Sequence, residues 1–178
     1  MKRIATLFGI GHSPIAPGTM GSLAAALAAS ALLQLPYGWY LLLPGAVIAS
    51  LLGTVAADSY MRYRGGDHDP SEIVVDELAG QWITYAVWYL WIVGITAQES
   101  SFVMLEVEAA PQFLIVGFLL FRFFDILKPW PISWADRKIK GGFGVMFDDI
   151  LAGFAAGSLL YILYLFWPMF TGQLEEMP

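Results

Sequence analysis

The run Phe121-Arg-Phe-Phe-Asp-Ile-Leu-Lys-Pro-Trp-Pro-Ile-Ser-Trp-Ala-Asp-Arg137 lies where one strongly apolar segment ends, and Gly141-Gly-Phe-Gly-Val-Met-Phe-Asp-Asp149 lies where the next begins. Acids, bases, prolines and glycines crowd this junction between two segments that could each enter a bilayer. Charged side chains at the edge of a membrane are costly to keep and usually have a function. We therefore predict a membrane-embedded helical protein with a functional site at the membrane surface.

The composition differs from that of ordinary soluble domains. Of 178 residues, 58% are hydrophobic and 13% are charged, and the mean hydropathy is +0.64, which is high for a soluble domain of this size. The length predicts one membrane-embedded domain over residues 1–170 and a short tail at 171–178. The net charge of −6, with nine basic residues spread over several loops, argues against a nucleic-acid partner. The absence of cysteine excludes disulfides, thiolate metal sites and a cysteine nucleophile.

Five apolar segments predict an all-α polytopic bundle with four to five spans. A bilayer core takes roughly 20 helical residues, so the third and fifth segments are long enough. The first is short and could be re-entrant, and Pro44 could kink the second. The glycine- and proline-rich stretches between segments are expected to form loops. The five segments are Leu23–Leu35, Leu41–Ala57, Leu78–Ala97, Gln112–Leu127 and Ile150–Phe170.

The basic residues predict the orientation of these segments. The stretch at 98–111 has no Lys or Arg, and neither has the stretch after Phe170. The positive-inside rule therefore places the N-terminus and the motif-bearing loops in the cytoplasm and the C-terminus outside. The basic residues that decide this lie before the first segment, after the second, and between the fourth and fifth: Lys2, Arg3, Arg62, Arg64, Lys128, Arg137, Lys138 and Lys140.

Six carboxylates at the ends of these segments form the candidate metal site. They would repel one another at one membrane face unless a cation shared them, and Mg²⁺ binds through carboxylates, waters and phosphate oxygens. Acids also favour helix N-termini, and this alternative would explain the acids that open the third and fifth helices. It does not explain Asp125, which lies near a helix C-terminus. The six are Glu72 and Asp76, at i, i+4 on one predicted helix face, with Glu77, Asp125, Asp148 and Asp149.

Several basic and loop residues form the candidate phosphate-binding set. Arg122, Asp125 and Lys128 are spaced i, i+3 and could form a line of ion pairs. Glycine-rich backbone before a helix can bind phosphate through its N–H groups, or it can simply form a turn with Thr19 or Ser22 as the N-cap. The basic side chains could equally be positive-inside decoration, and a loop histidine is often only solvated. The candidates are His12, Thr19, Arg122, Lys128, Arg137 and Gly142.

Three motifs, in order along residues 9–157, resemble the phosphatidylglycerophosphatase A family. They are Gly9-Ile-Gly-His-Ser-Pro-Ile-Ala-Pro-Gly-Thr-Met-Gly-Ser22, Glu72-Ile-Val-Val-Asp-Glu77 with Gly80-Gln81, and the Phe121–Ile132 run continuing through Asp136-Arg137 to Gly142–Gly153. The resemblance implies a helical, Mg²⁺-dependent enzyme of the bacterial cytoplasmic membrane. It would remove the terminal phosphate of phosphatidylglycerophosphate, a phospholipid held in the membrane, to give phosphatidylglycerol.

Metal-assisted hydrolysis is the mechanism that the residues favour, and its nucleophile is either an activated water or a carboxylate that forms a phospho-enzyme. The chain has no Asp-x-Asp-x-Thr nucleophile segment and no Asp-Gly-x-x-Ala-Arg segment. We expect Asp76, Glu77 and Asp149 to act in catalysis, with Lys128 and Arg137 stabilising the developing charge. A transporter would carry its acids deep within spans or on both membrane faces, and an assembly subunit with a charged docking loop is a non-catalytic alternative.

Overall fold

The computed structural model describes residues 1–65, 70–96 and 111–171, and within these ranges every regular element is a helix. The all-α prediction is confirmed. Short 3₁₀ turns occupy Leu7–His12 and Gly38–Leu41. The α-helices are α1 (Lys2–Ala5), α2 (Pro17–Leu33), α3 (Leu42–Arg64), α4 (Val75–Thr96), α5 (Pro111–Leu127), α6 (Ile132–Lys138) and α7 (Gly141–Thr171).

In the part of the chain that the structure describes, two helices meet the length and composition expected of membrane spans. They are Gly38–Arg64, which includes α3 and the turn before it, and Gly141–Trp167 within α7, each with a mean hydropathy of 1.9. Helix α2 is a shorter apolar helix. The prediction of four to five spans remains a prediction beyond these two helices.

The starts of α2 and α7 differ from the sequence prediction. Helix α2 begins at Pro17, with Ala16 as its N-cap, so Thr19 and Ser22 lie inside the helix and the prediction that one of them caps it was wrong. Proline suits this first position because its missing N–H would be unpaired there in any case. Helix α7 begins at Gly141, so the predicted glycine loop is its first turn. Pro44 falls in the first turn of α3, where it breaks no hydrogen bond.

Helix α4 forms the centre of the bundle and packs against α2, α3, α5 and α7. Its Tyr85 and Trp88 are fully buried. The contact with α7 is unusually close, because a Cβ at Gly153 would collide with the Gly80 carbonyl oxygen and a Cβ at Gly157 with that of Thr84. Small residues allow helix backbones to approach in this way.

The outer surface of α3 is apolar. Its exposed side chains include Val47, Ile48, Leu51, Leu52 and Val55. A continuous apolar face of this size on a helix long enough to span a bilayer is consistent with a membrane protein.

Candidate active site

One end of the bundle brings together the three polar segments that the sequence singled out. Here the start of α2 meets the start of α4 and the end of α5. The Ser22 hydroxyl donates a hydrogen bond to Glu77 Oε2 at 2.7 Å, and Arg122 Nη1 donates to the same oxygen at 2.6 Å. Residues 22, 77 and 122 therefore form one contact cluster at the junction of three helices.

Arg122 is shared between two carboxylates. Its Nη1 also lies 2.7 Å from Asp125 Oδ2, one turn along α5, so the predicted i, i+3 pair is present. Burial raises the pKa of Glu77, which precedes the apolar segment 78–97, to about 7; repulsion from Asp125 acts in the same direction, while Arg122 and Ser22 oppose it. Gly18 leaves room for the Glu77 carboxylate, because a Cβ at this position would crowd Oε1 and require the side chain to shift.

Lys128 bridges two further carboxylates at the end of α5. Its Nζ lies 2.6 Å from Asp136 Oδ1 on α6 and 2.5 Å from Asp148 Oδ2 on α7. Burial alone would lower the pKa of Lys128, but the hydrogen bonds and charges of Asp136 and Asp148 outweigh it and raise that pKa. The backbone of Lys128 is left-handed, with φ +42°, a strained conformation of the kind that clusters at functional sites.

This left-handed residue changes the predicted ion-pair pattern. Within the described residues, Lys128 pairs with Asp136 and Asp148, and no pair joins it to Asp125. Of the two ion pairs expected along one helix face, the pair of Arg122 with Asp125 is present, and the pair of Asp125 with Lys128 is not found among the described residues. The helix ends at Leu127, so the i, i+3 geometry does not extend to Lys128.

Asp148 and Asp149 are the most deeply buried acids of the site. Their residues are 5% and 3% exposed, and Asp148 Oδ1 and Asp149 Oδ2 have no hydrogen-bond partner among the described residues. They lie two turns inside α7, so the helix macrodipole, which acts within the first turn, does not account for them. The prediction that they open the helix was wrong. The alternative explanation, that these acids simply favour a helix N-terminus, therefore does not apply to them.

The acids around Asp149 have the donor chemistry of a magnesium site. Glu77, Asp125, Asp76 and Asp148 all contribute negative potential at its carboxylate. Hard oxygen donors of this kind suit Mg²⁺. In the described ranges no three such side chains are already arranged around a common metal position, and Arg122 and Lys128 instead pair with Glu77, Asp125 and Asp148.

Other predicted site residues lie outside this contact cluster. Glu72 precedes α4 and therefore does not share a helix face with Asp76; it pairs with Arg64 at 3.1 Å. His12 and Arg137 are exposed, and Thr19 is half-buried in α2. The Gly142 N–H, predicted to bind phosphate, donates a hydrogen bond to Asp58 Oδ1 at 2.6 Å. In this conformation it is therefore already paired with a carboxylate of the chain.

The structure adds three polar residues that the sequence analysis gave no part in the site. Ser22 holds Glu77, Asp136 holds Lys128, and Asp58 caps α7. Asp136 and Ser22 both belong to quoted motifs, but Ser22 had been given only the role of a possible helix cap. Asp58 and Gly142 are 84 residues apart, and no local pattern links two such positions.

The family model of phosphatidylglycerophosphatase A matches residues 3–164 of the chain. The chain belongs to this family. Phosphatidylglycerophosphatase A of Escherichia coli (strain K12) is 36% identical over 174 residues, covering 93% of this chain and 84% of that protein. Phosphatidylglycerophosphatase A of Haemophilus influenzae is 35% identical over 160 residues, covering 90% and 86%.

A third relative carries a different name. A Bacteroides thetaiotaomicron protein provisionally named phosphatidylinositol-3-phosphatase is 36% identical over 153 residues, covering 84% of each chain. No solved structure gives a significant match. Membership of the phosphatidylglycerophosphatase A family confirms the predicted resemblance and identifies the chain as a phosphatase.

Proposed function

We propose that the chain hydrolyses the terminal phosphomonoester of phosphatidylglycerophosphate, giving phosphatidylglycerol and phosphate, with Mg²⁺ as cofactor. The relatives from Escherichia coli and Haemophilus influenzae, by name, support the substrate. The observation that supports the chemistry is Asp149, a carboxylate 3% exposed inside a cluster of acids, with one oxygen that has no hydrogen-bond partner among the described residues. A buried ionised carboxylate needs a counter-charge, and a divalent ion would supply it.

Asp149, Asp148 and Asp76 are the proposed core of the Mg²⁺ site, with Glu77, Asp125 and Glu72 in supporting positions. Asp148 suits a double role, because its Oδ2 accepts from Lys128 while its Oδ1 is buried without a partner among the described residues. Bound Mg²⁺ would neutralise the phosphomonoester and lower the pKa of a bound water.

The side chains of the site would carry out the other parts of the hydrolysis. Asp76, Glu77 and Asp149 hold the attacking water and accept its proton as its oxygen bonds to phosphorus. The bond from phosphorus to the glycerol oxygen breaks, and the proton taken from the water passes to that oxygen, which leaves as the hydroxyl of phosphatidylglycerol. Lys128 and Arg122, fixed by their carboxylate partners, stabilise the charge on the phosphoryl oxygens. Exposed Arg137 and His12 are proposed to contact the phosphate from the open side, with Thr19 as a further contact. The Gly142 N–H would join them only if the phosphate displaced Asp58 from it.

A phosphoinositide substrate is the second candidate. The Bacteroides thetaiotaomicron relative, whose provisional name gives that activity, has the same 36% identity as the Escherichia coli protein, over 153 rather than 174 residues. Both substrates present a phosphomonoester on a polyol headgroup, so the same metal and cations could serve either one.

Phosphate release by the purified full chain in detergent micelles tests the proposal. The substrates are phosphatidylglycerophosphate, phosphatidate, lysophosphatidate and phosphatidylinositol 3-phosphate, each with Mg²⁺ and with a chelator. We expect Mg²⁺-dependent release that is fastest from phosphatidylglycerophosphate. Faster release from phosphatidylinositol 3-phosphate would favour the second candidate, and release unchanged by the chelator would rule out the metal.

A further inference from the structure

We propose that Asp136 is a placeholder for the substrate phosphate: its carboxylate holds the outer side of the Lys128 ammonium and is displaced when a phosphomonoester binds there. The inference rests on the proposed function, which brings a phosphate to Lys128. In this role Asp136 competes with the substrate phosphate for Lys128 and so weakens phosphate binding.

The two partners of Lys128 differ sharply in exposure. The Asp148 side chain is 7% exposed, whereas that of Asp136 is 42% exposed. Removing the counter-charge from a buried carboxylate is strongly unfavourable, but an exposed ion pair contributes little to stability. An incoming anion therefore competes with Asp136 for Lys128, and the contact to Asp148 stays in place.

The local structure fixes Lys128 and Asp136 at this position. Lys128 adopts a left-handed backbone, and its N–H bonds the Phe124 carbonyl at 2.9 Å, which closes the end of α5. Helix α6 is anchored beneath Asp136 by buried Ile132 and Ala135, which leave Asp136 on the open side. The Lys128 ammonium is thus presented outward with one weakly held anionic partner.

A carboxylate and a phosphate oxygen are both anionic acceptors of a lysine N–H, so one can replace the other. With Asp136 in place, a phosphate must displace an existing ion pair and also approach a negative charge. As the product phosphate leaves, Asp136 takes up the ammonium again. Asp136 therefore weakens phosphate binding while it keeps Lys128 oriented, which is the opposite of what a substrate-binding residue does.

The test is the phosphate affinity of the Asp136→Asn variant. Inorganic phosphate is titrated into the full chain in micelles with Mg²⁺ at matched ionic strength, and the dissociation constant is taken from the rise in unfolding temperature. We expect Asp136→Asn to bind phosphate about two- to five-fold more tightly, the range of an exposed ion pair. The KM for phosphatidylglycerophosphate should fall as well, because the substrate phosphate competes with the same carboxylate.

Two controls separate this effect from a general loss of negative charge. Glu176→Gln removes one acid from the C-terminal tail and should leave the affinity unchanged. In a Lys128→Gln background, Asp136→Asn should no longer tighten binding. Unchanged or weaker phosphate binding in Asp136→Asn, equal tightening in Glu176→Gln, or tightening that persists without Lys128 would each overturn the placeholder role.

The outcomes also separate this inference from the proposed function. If the unmodified chain hydrolyses phosphatidylglycerophosphate while Asp136→Asn binds phosphate no more tightly, only the placeholder fails. If the unmodified chain releases phosphate from none of the lipids, the proposed function fails, and the affinity measurement with inorganic phosphate still decides the role of Asp136.

Discussion

At the scale of single residues, the burial of Asp149 decides which chemistry the site supports. Its carboxylate is 3% exposed, and four other acids contribute negative potential to it. An ionised group in that position is costly unless a cation or a proton accompanies it. A chain selected only for stability would not keep such a cluster, so function is the better explanation.

Asp149→Asn is expected to remove activity without loss of fold. The amide keeps the volume of the side chain but removes the charge, so kcat should fall about 10²- to 10⁴-fold. The unfolding temperature without Mg²⁺ should stay the same or rise, because repulsion among the acids is relieved. Phosphate release and thermal unfolding in micelles measure both effects, and Asp76→Asn should lose activity in the same way. Full activity in both variants would remove these residues from the mechanism.

Arg122→Met is expected to destabilise the protein more than Glu77→Gln. Arg122 pairs with both Glu77 and Asp125, so its loss leaves two largely buried carboxylates uncompensated and should cost about 3–5 kcal/mol. Glu77→Gln leaves Arg122 paired with Asp125 and should cost less. Thermal unfolding of the two variants in the same micelles gives the order, and an equal or reversed order would contradict this account of the pair.

At this scale the sequence predicted which charged residues lie close together better than how they pair. Most of the acids and Lys128 could be singled out because charge is rare in so apolar a chain. Their partners come from distant positions, such as Ser22 with Glu77, 55 residues apart. No spacing rule reaches across separate helices, so these contacts required the fold.

At the scale of elements, the close contact of α4 with α7 positions the site. A Cβ on Gly80 would lie 2.7 Å from the Asp149 carbonyl oxygen, so the backbone that carries Asp149 rests directly on α4. Glu77 lies one turn earlier on α4. The distance between the two helices therefore sets the distance between the two halves of the acid cluster.

Gly153→Ala should separate these helices and lower activity and stability together. The added methyl group would meet the Gly80 backbone, which cannot rotate away, and such overpacking costs about 1–3 kcal/mol. Gly94→Ala is the matched control, because it lies in the same helix pair with nothing within 4 Å of its Cβ. The control should be neutral or slightly stabilising. Unfolding temperature and kcat are measured for both, and equal effects would show that helix separation is not the cause.

Helix cores were predictable from the sequence, but two helix starts were not. The apolar pattern located α3, α4 and α5 to within a few residues, apart from the polar last turns of α3. The glycines that form the first turn of α7 suggested a loop. Gly142 nevertheless packs where a side chain would collide with the Thr54 carbonyl oxygen, and its N–H donates a hydrogen bond to Asp58. Tertiary contact thus selected helix over the local preference of glycine.

At the scale of the whole molecule, the polar cluster lies at one end of an apolar bundle. Exposed apolar side chains line α3 and continue on α7 at Phe154, Ile162 and Leu165. This distribution is consistent with a membrane protein whose site lies at one surface of the bilayer. We propose the inner leaflet of a bacterial cytoplasmic membrane for that surface. The basic residues lie before the first apolar segment, after the second, and between the fourth and fifth, and the positive-inside rule assigns these stretches to the cytoplasmic side.

The absence of cysteine allows the proposed sidedness to be measured directly. Single substitutions Lys140→Cys and Ser101→Cys introduce one thiol each, the first beside the site and the second in the base-free stretch that lies outside the described residues. If the site faces the cytoplasm, a membrane-impermeant maleimide should label Lys140→Cys in inverted vesicles and not in intact spheroplasts. Ser101→Cys should show the reverse pattern, because α5 would then cross the bilayer between the two positions. The unmodified chain, which has no thiol to react, sets the background. Labelling of both variants from one side would mean that α5 does not cross, and labelling of Lys140→Cys from outside would place the site away from the cytoplasmic leaflet.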